Sequence, residues 1–367
     1  MHSIIVREIR NYFKNPVFWV GFIFIVVGLL QILKPYLDIH YFNEDSEISK
    51  VNLERRMDAD IMEGYVPSTE TQRMILAWEE FQAELTESFG FTQEEAEELK
   101  EECESLALSV DQVTNYMGEN YPDIFEDLSE HPLCGLSFWY ELNEIHLGDV
   151  VEVNAYIKER LEEHSFSWYF ARKYADFLGL FLGFYSAIML SFLFLRDTKR
   201  DMYELLHTKS VSNIAYVLGK VGGGLAALGY VWGVLTILFG ILCQISGVSH
   251  GFPVNFIDFL ITAAVYVLPN LLMIISIYTV TALLFKNPLP ATPLIFLYMI
   301  YSNMGSRNEE GIFGYYGRPL AIMVRFPGRF FETAPPPFAI ANQSFLMLSS
   351  AVLLIVGIYI WKRRKVY

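Results

Sequence analysis

Long apolar runs separated by charged segments make up most of the chain, and each run reads as a helix that crosses a lipid bilayer. Between Lys14 and Lys34 no charged residue occurs over 19 residues, about 28 Å as a helix and enough to span. A second run lies between Asp176 and Arg196, and a third follows Lys220 and ends at the turn GVSHGFP, residues 247 to 253. A fourth runs from about Ile257 to Phe285, with Pro269 and Asn270 at mid-depth where a kink is expected. The tight turn KNPLP, residues 286 to 290, leads to a fifth from about Ala291 to Met304, which is short for a full crossing. A sixth covers about Phe338 to Trp361. Between the last two, residues 305 to 337 are apolar in pieces too short to span, as in RPLAIMVRF, and are expected to enter the membrane surface as a re-entrant segment.

The polar segments have a pattern of their own. Residues 1 to 15 put Ile5, Ile9, Tyr12 and Phe13 on one side and Arg7, Arg10 and Lys14 largely on the other, the pattern of an interfacial helix. A cleaved signal peptide is the competing reading of residues 1 to 34; the continuation KPYLDIHYF offers no small-residue cleavage site, which favours a retained anchor at 16 to 34. From 35 to 171 the periodicity is helical. Met74, Trp78, Phe81 and Leu85 form one stripe, and Leu99, Cys103 and Leu106 form a second behind the Thr92 to Glu95 capping box. A further helix from about Asp149 to Glu163 turns Val153, Tyr156, Ile157 and Leu161 inward. In the segment from Arg196 to Lys220, Thr198 and Asp201 open a short helix over 198 to 209 with Met202, Leu205 and Leu206 on its apolar face. Two readings remain for that face: it rests on lipid, or it docks into a cytoplasmic partner.

Charge gives the orientation. The chain of 367 residues is 53% hydrophobic, with 29 Phe, 22 Tyr and a formal charge of -15; its mean hydropathy is +0.30, and a soluble domain is excluded. From Pro35 to Ala171 stand 33 acidic and 7 basic residues, net -26, which leaves a net +11 elsewhere. Basic residues flank the apolar runs at the N-terminus, in the 196 to 220 loop and in the tail 362 to 367. Excess Lys and Arg mark the cytoplasmic side, so both termini are expected inside and the acidic region outside. The fold class expected is therefore an all-α integral membrane protein. It has six transmembrane helices, an N-terminal interfacial helix and a helical extracellular domain between spans one and two.

Several chemistries find no support. Gly219-Lys220 is followed by Val221 and lacks the upstream glycine of a P-loop, so no ATP hydrolysis by this chain and no enzymatic activity is expected. No basic surface suits nucleic acid. Charged residues lie at span ends (Asp176, Asp258, Lys286), which disfavours ion-coupled transport. Glutamates 94, 95, 97, 98, 101, 102 and 104 read as a solvated helix face, since a straight helix does not converge oxygens on calcium; no metal ligands are assigned. Cys103 and Cys134 can pair or remain thiols. Asn270 and Gln244 can line a substrate path or merely bond a neighbouring helix, and Gly179, Gly183, Gly223, Gly229 and Gly233 are expected to let helices approach closely.

The opening REIRNYFKNPVFWV, Arg7 to Val20, and YELLHTKSVSNIAYVLGK, Tyr203 to Lys220, carry a resemblance to the permease subunits of ABC transporters, in the type-2 exporter superfamily. The resemblance covers nearly the whole chain. It implies that residues 1 to 15 are a connecting helix, that 198 to 209 are the coupling helix entering a groove on the ATPase, and that 305 to 337 form short outer helices. It also implies ATP and Mg on separate ABC ATPase subunits, none bound here, and a second permease chain, identical or homologous. Such a subunit exports a peptide, drug or lipid from a bacterial plasma membrane. The acidic insertion departs from the smallest members and resembles those with an external domain. A receptor or sensor that signals through the 196 to 220 loop is the alternative of a different class.

Overall fold

The structure, a computed structural model, describes residues 1–122, 135–194, 211–303, 306–307, 313–314, 318–335 and 337–363. They fall into two compact units, one formed by Met1–Ile39 with the chain from Arg160 onward and the other by His40–Glu159.

In the first unit α1 (His2–Phe13) is followed closely by α2 (Pro16–Leu37). Asn15 separates them: a residue before proline is pushed out of the helical region, and its side chain caps α2 by accepting from Val17 N at 3.0 Å. The other helices of this unit are α9 (Phe166–Met189), α10 (Asn213–Ser249), α11 (Phe256–Phe285), α12 (Ala291–Asn303) and α13 (Ala339–Arg363). Among the described residues five helices are long and apolar enough to cross a membrane: α2, α9 with its 3-10 extension to Phe192, α10, α11 and α13. α12 has 13 residues, about 20 Å of helix, which is shorter than the hydrocarbon layer. α11 packs along both α9 and α13, and α1 lies on α10.

Two sets of contacts define the ends of this bundle. At one end the Tyr185 hydroxyl of α9 donates to Phe18 O of α2 at 3.0 Å, and Tyr216 at the start of α10 stacks on Trp361 at the end of α13. Tyr278, late in α11, shares a 2.9 Å hydrogen bond with Thr292 at the start of α12. At the other end Ser246 of α10 donates to Leu37 O of α2, and Phe166 N of α9 donates to Pro253 O at 2.9 Å. α1 and the end of α13 thus lie at the same end.

Residues 318–335 are irregular apart from a 3-10 turn over Phe330–Glu332, and Ala321–Val324, Phe326, Phe330 and Phe331 are buried. No outer α-helix occurs among the described residues of 305–337. The pair Ser306–Arg307 and Phe313–Gly314 forms a minimal antiparallel ladder.

The second unit contains α3 (Leu53–Arg56), β1 (Tyr65–Pro67), α4 (Glu70–Ser88), α5 (Gln93–Ser105), α6 (Val110–Asn120), α7 (Gly135–Leu142) and β2 (Ile145–Leu147). α8 (Val150–Glu163) carries the chain back towards α9. The stripes expected from the sequence are in place: Trp78, Phe81 and Leu85 of α4 and Leu99 and Cys103 of α5 join Val113, Met117, Leu136 and Trp139 in one apolar core. Leu106 differs, being half exposed at the C-cap of α5. Capping boxes at Thr69 and Thr92 start α4 and α5. The β1–β2 ladder, register Val66↔His146, has no counterpart in the sequence expectations. The His146 ring bridges Ser68 Oγ and Glu152 Oε2, each at 3.1 Å, and Arg56 pairs with Glu80 while Asn143 Nδ2 donates to Glu80 Oε2 at 2.7 Å. These bonds tie the ladder and α3 to the helical core.

Cys103 is a buried free thiol, and Cys134 lies outside the described residues. Burial, with the neighbouring Glu102 carboxylate, pushes the Cys103 thiol up to about 11, so at pH 8 only about a thousandth is thiolate, the reactive form. In a variant keeping Cys103 as its one cysteine, maleimide labelling at pH 7 to 8 is expected to be slow, to rise with pH towards 11, and to become fast in denaturant. Fast labelling of the native protein at pH 7 contradicts this core.

Candidate functional site

Glu8 is the one acidic residue of α1 and stands between Arg7 and Arg10. In the structure it is buried against α10, where Lys220 Nζ approaches its Oε1 at 3.0 Å; the side chains are 8% and 6% exposed. Burying either charge without an opposite one beside it is costly, and Arg7 Nε also lies 4.0 Å from Glu8 Oε1. The approach is possible because α10 presents glycines at helical spacing. A Cβ at Gly223 would lie 2.4 Å from Glu8 Cβ, one at Gly219 would lie 3.0 Å from Ile4 Cβ, and one at Gly222 would lie 3.3 Å from Ile5 Cδ1. α1 therefore rests on α10 with side chains from one helix only between them.

Aromatic rings extend this seam to the chain on either side of residues 195–210. Phe194, the last described residue before that segment, sits 6.1 Å from Tyr216, and Lys220 Nζ lies 5.7 Å from the Phe194 ring. Tyr216, in the first turn of α10, stacks on Trp361 with centroids 4.3 Å apart. Further along, Phe13 meets Tyr230 at 5.0 Å. The described residues flanking 195–210, Phe194 and the first turns of α10, thus share one platform with α1 and the end of α13.

A second buried charge cluster holds residues 318–335 to α9. Asp176 pairs with Arg325 and accepts from Phe326 N at 3.1 Å, while Arg325 Nη1 donates to Asn303 Oδ1 at 2.9 Å. Lys173 donates to Gly328 O and, at 3.5 Å, to Phe326 O.

The expected site residues fall in several places. Thr198, Asp201, Met202, Leu205 and Leu206 lie outside the described residues. Gln244 Nε2 donates to Ser167 Oγ at 3.1 Å, which also accepts from Asn255 N just before α11. Asn270 is 15 residues further along α11, about 22 Å, so the two are not brought together. Its Nδ2 donates to Tyr266 O at 2.7 Å, and its buried Oδ1 has no hydrogen-bond partner among the described residues. Gly183 faces Met323 and Met299, and Gly223 faces Glu8, whereas Gly179, Gly229 and Gly233 meet no heavy atom within 4 Å of an added Cβ. Two glycines of α2 not singled out from sequence are also closely approached: an added Cβ would lie 2.6 Å from the Tyr185 ring at Gly21 and 2.6 Å from the Phe181 ring at Gly28. The two ion pairs were also missed. Their signals were a lone acid on a basic helix, a lysine opening an apolar run, and an arginine inside RPLAIMVRF. Among the described residues no His, Cys, Asp and Glu group is placed to hold a metal ion.

Breaking one partner of a buried pair leaves the other charge unpaired, at a cost of about 3 to 5 kcal/mol, whereas replacing both is close to neutral. Lys220→Met is expected to lower the thermal midpoint of the detergent-purified protein, and Glu8→Gln added to it should recover most of the loss. A double variant no more stable than Lys220→Met argues against the pair.

No curated protein and no solved structure matches the chain significantly. The family model described as ABC-2 family transporter protein matches residues 2–312, a span that includes α1, the second compact unit and every membrane-length helix except α13. The chain belongs to the ABC-2 family of transporter permeases, the multi-pass membrane subunits that associate with ABC ATPases.

Proposed function

We propose that the chain is the membrane-spanning subunit of an ATP-driven exporter, with ATP bound and hydrolysed in separate subunits and the 198 to 209 segment as the element they press. The observation that carries this is the platform: both ends of residues 195–210 are anchored where Glu8, Lys220, Phe194, Tyr216 and Trp361 meet. A push on that segment moves α1, α9, α10 and α13 together, and a second permease chain placed opposite would let such a movement open and close a path.

The topology proposed has six crossings, with both termini cytoplasmic and residues 40–159 outside. Five membrane-length helices alone would leave the termini on opposite sides, but α1 and the end of α13 lie at the same end of the bundle. The remaining crossing is assigned to α12 with the segment after it. α12 starts at the level of Tyr278, and residues 326–331 reach the opposite end, where Phe330 stacks on Tyr36 of α2 at 5.5 Å. The basic segments agree with this orientation.

Cysteine probes test the topology: a membrane-impermeant reagent applied to sealed cells is expected to label a cysteine at Glu98 and not one at Arg364. Labelling at Arg364 excludes six crossings with an inner C-terminus. The coupling assignment is tested by Leu205→Ala with Leu206→Ala. Truncating two buried interface side chains is expected to cost about 2 kcal/mol or more and so to reduce the ATPase recovered with solubilised permease at equal permease levels. Leu205→Asp should be worse, since it buries an unpaired carboxylate. Unchanged recovery with unchanged ATP-dependent export means that the segment only lies on lipid.

A further inference from the structure

Buried charge is balanced locally almost everywhere among the described residues, and the exception lies near the start of α9. Arg56 has Glu80, Lys220 has Glu8 and Arg325 has Asp176, while Lys173 is held by two backbone carbonyls. Arg172 is 7% exposed, and no carboxylate of the described residues stands within ion-pair reach of it. The ionisable side chains that bear on it are Tyr266 and Tyr169, neutral phenols at pH 7. A guanidinium does not escape such a place by losing its proton, so a full positive charge stays buried without an opposite one, which is costly.

The side chain is held from one side only. Its guanidinium carbon lies 3.0 Å from the centre of the Trp168 ring, on which His164 also stacks at 3.7 Å. Nη1 donates to Trp168 O at 2.9 Å, and Nε is buried without a partner. Nη2 is therefore the donor left for a ligand. A ring face and one carbonyl carry no full negative charge, and their attraction is smaller than the cost of dehydrating an ion. Depth narrows what can supply the missing charge. α9 with its 3-10 extension has 27 residues, about 40 Å of helix against about 30 Å of hydrocarbon, so that centred on that layer it leaves about 5 Å at each end among lipid headgroups. Arg172 follows Phe166, the first residue of α9, at a distance of about 9 Å along the helix. It stands just inside the boundary, below Trp168 and Tyr169 at the level where aromatic side chains collect, and an arginine so placed extends its head towards the lipid phosphates.

We propose that Arg172 is the binding site of a phosphate group, which accepts from its guanidinium at the headgroup level of the leaflet at this end of the bundle. A phosphate keeps its negative charge at pH 7, offers several acceptor oxygens and pairs with guanidinium through charge-assisted hydrogen bonds. It is also the anion that a bilayer itself presents at this depth. A lipid headgroup brings it from the side, and a soluble phosphate brings it from the water above. The site does not rest on the export reading; the proposed topology serves only to name the leaflet as the outer one.

The test uses the purified full chain in a non-ionic detergent with three probes: phosphatidylglycerol, diacylglycerol with the same acyl chains, and inorganic phosphate. On native mass spectrometry phosphatidylglycerol is expected to bind about tenfold more tightly than diacylglycerol, the ratio one charge-assisted hydrogen bond supports. It should also raise the thermal midpoint, since a ligand of the folded state stabilises it. Arg172→Met should abolish both effects. Its own midpoint without lipid should not fall, because the change removes a buried charge that has no partner. Inorganic phosphate separates the sources: if it displaces the lipid and raises the midpoint of the wild type but not of Arg172→Met, the site takes soluble phosphate, and if it does neither, the site takes the headgroup. Should Arg172→Met fail to fold, Arg172→Gln must show the same loss. A diazirine in the phosphatidylglycerol headgroup must in addition label the wild-type peptide that contains Trp168, a measurement that needs no variant. Equal binding of phosphatidylglycerol and diacylglycerol with no response to phosphate overturns the proposal. So does a tenfold ratio that persists in Arg172→Met, or headgroup labelling confined to other peptides. No ATPase is present, so failure of the coupling assignment and failure of this site are read separately.

Discussion

A charge taken out of water has to bring its counter-ion with it, and in this bundle that requirement is met by Glu8 and Lys220, at a point where four stretches of chain converge. Pulling α1 away from α10 would separate the pair in a poorly hydrated place, which costs far more than sliding two apolar helices. The glycines at 219, 222 and 223 deepen the same constraint, because a helix seated on backbone has little freedom to rotate. α1 and the first turns of α10 therefore behave as one body. The stack of Tyr216 on Trp361 adds the end of α13 to it. The coupling reading proposed above requires such a rigid receiver, since a soft one would absorb a displacement locally.

What could be read in the sequence followed from period and length. Uncharged runs announced α2, α9, α10, α11 and α13, and the stripe Trp78, Phe81, Leu85 announced the core of the second unit, because burial imposes helical spacing on apolar residues. Pairings across the chain could not be read that way. Asp176 and Arg325 are 149 residues apart, and from sequence each appears as a charge at the edge of an apolar run. Only the fold shows them neutralising one another. Among the glycines, spacing identified Gly223 and Gly183 but could not distinguish them from Gly229, where the neighbouring helix stands off. A small residue in lipid signals the opportunity for close packing, and whether a partner takes it depends on helix direction and tilt.

The most irregular part of the first unit follows from the same rule about unpaired polar groups. Backbone that leaves the helical state inside a membrane protein is tolerated only where protein supplies its hydrogen bonds. Residues 318–335 satisfy that condition through side chains borrowed from three helices. Tyr298 and Asn342 donate to the carbonyls of Leu320 and Ala321, and Ser302 Oγ accepts from Ile322 N at 3.0 Å. Asp176 accepts from Phe326 N, and Lys173 reaches the carbonyl of Gly328. On the six-crossing topology proposed above, those bonds spare a helix as short as α12 from completing a crossing alone. Residues 318–331 continue to the other end of the bundle as irregular backbone apart from the 3-10 turn, with polar groups answered by α9, α12 and α13. The cost of this arrangement is that its polar side chains must stay where they are: loss of Asp176 removes the acceptor for Phe326 N, and loss of Lys173 removes the donor to the carbonyls of Phe326 and Gly328. A segment held in this way is ordered by polar contacts rather than by its own helix, so movement of α9 is passed directly to it.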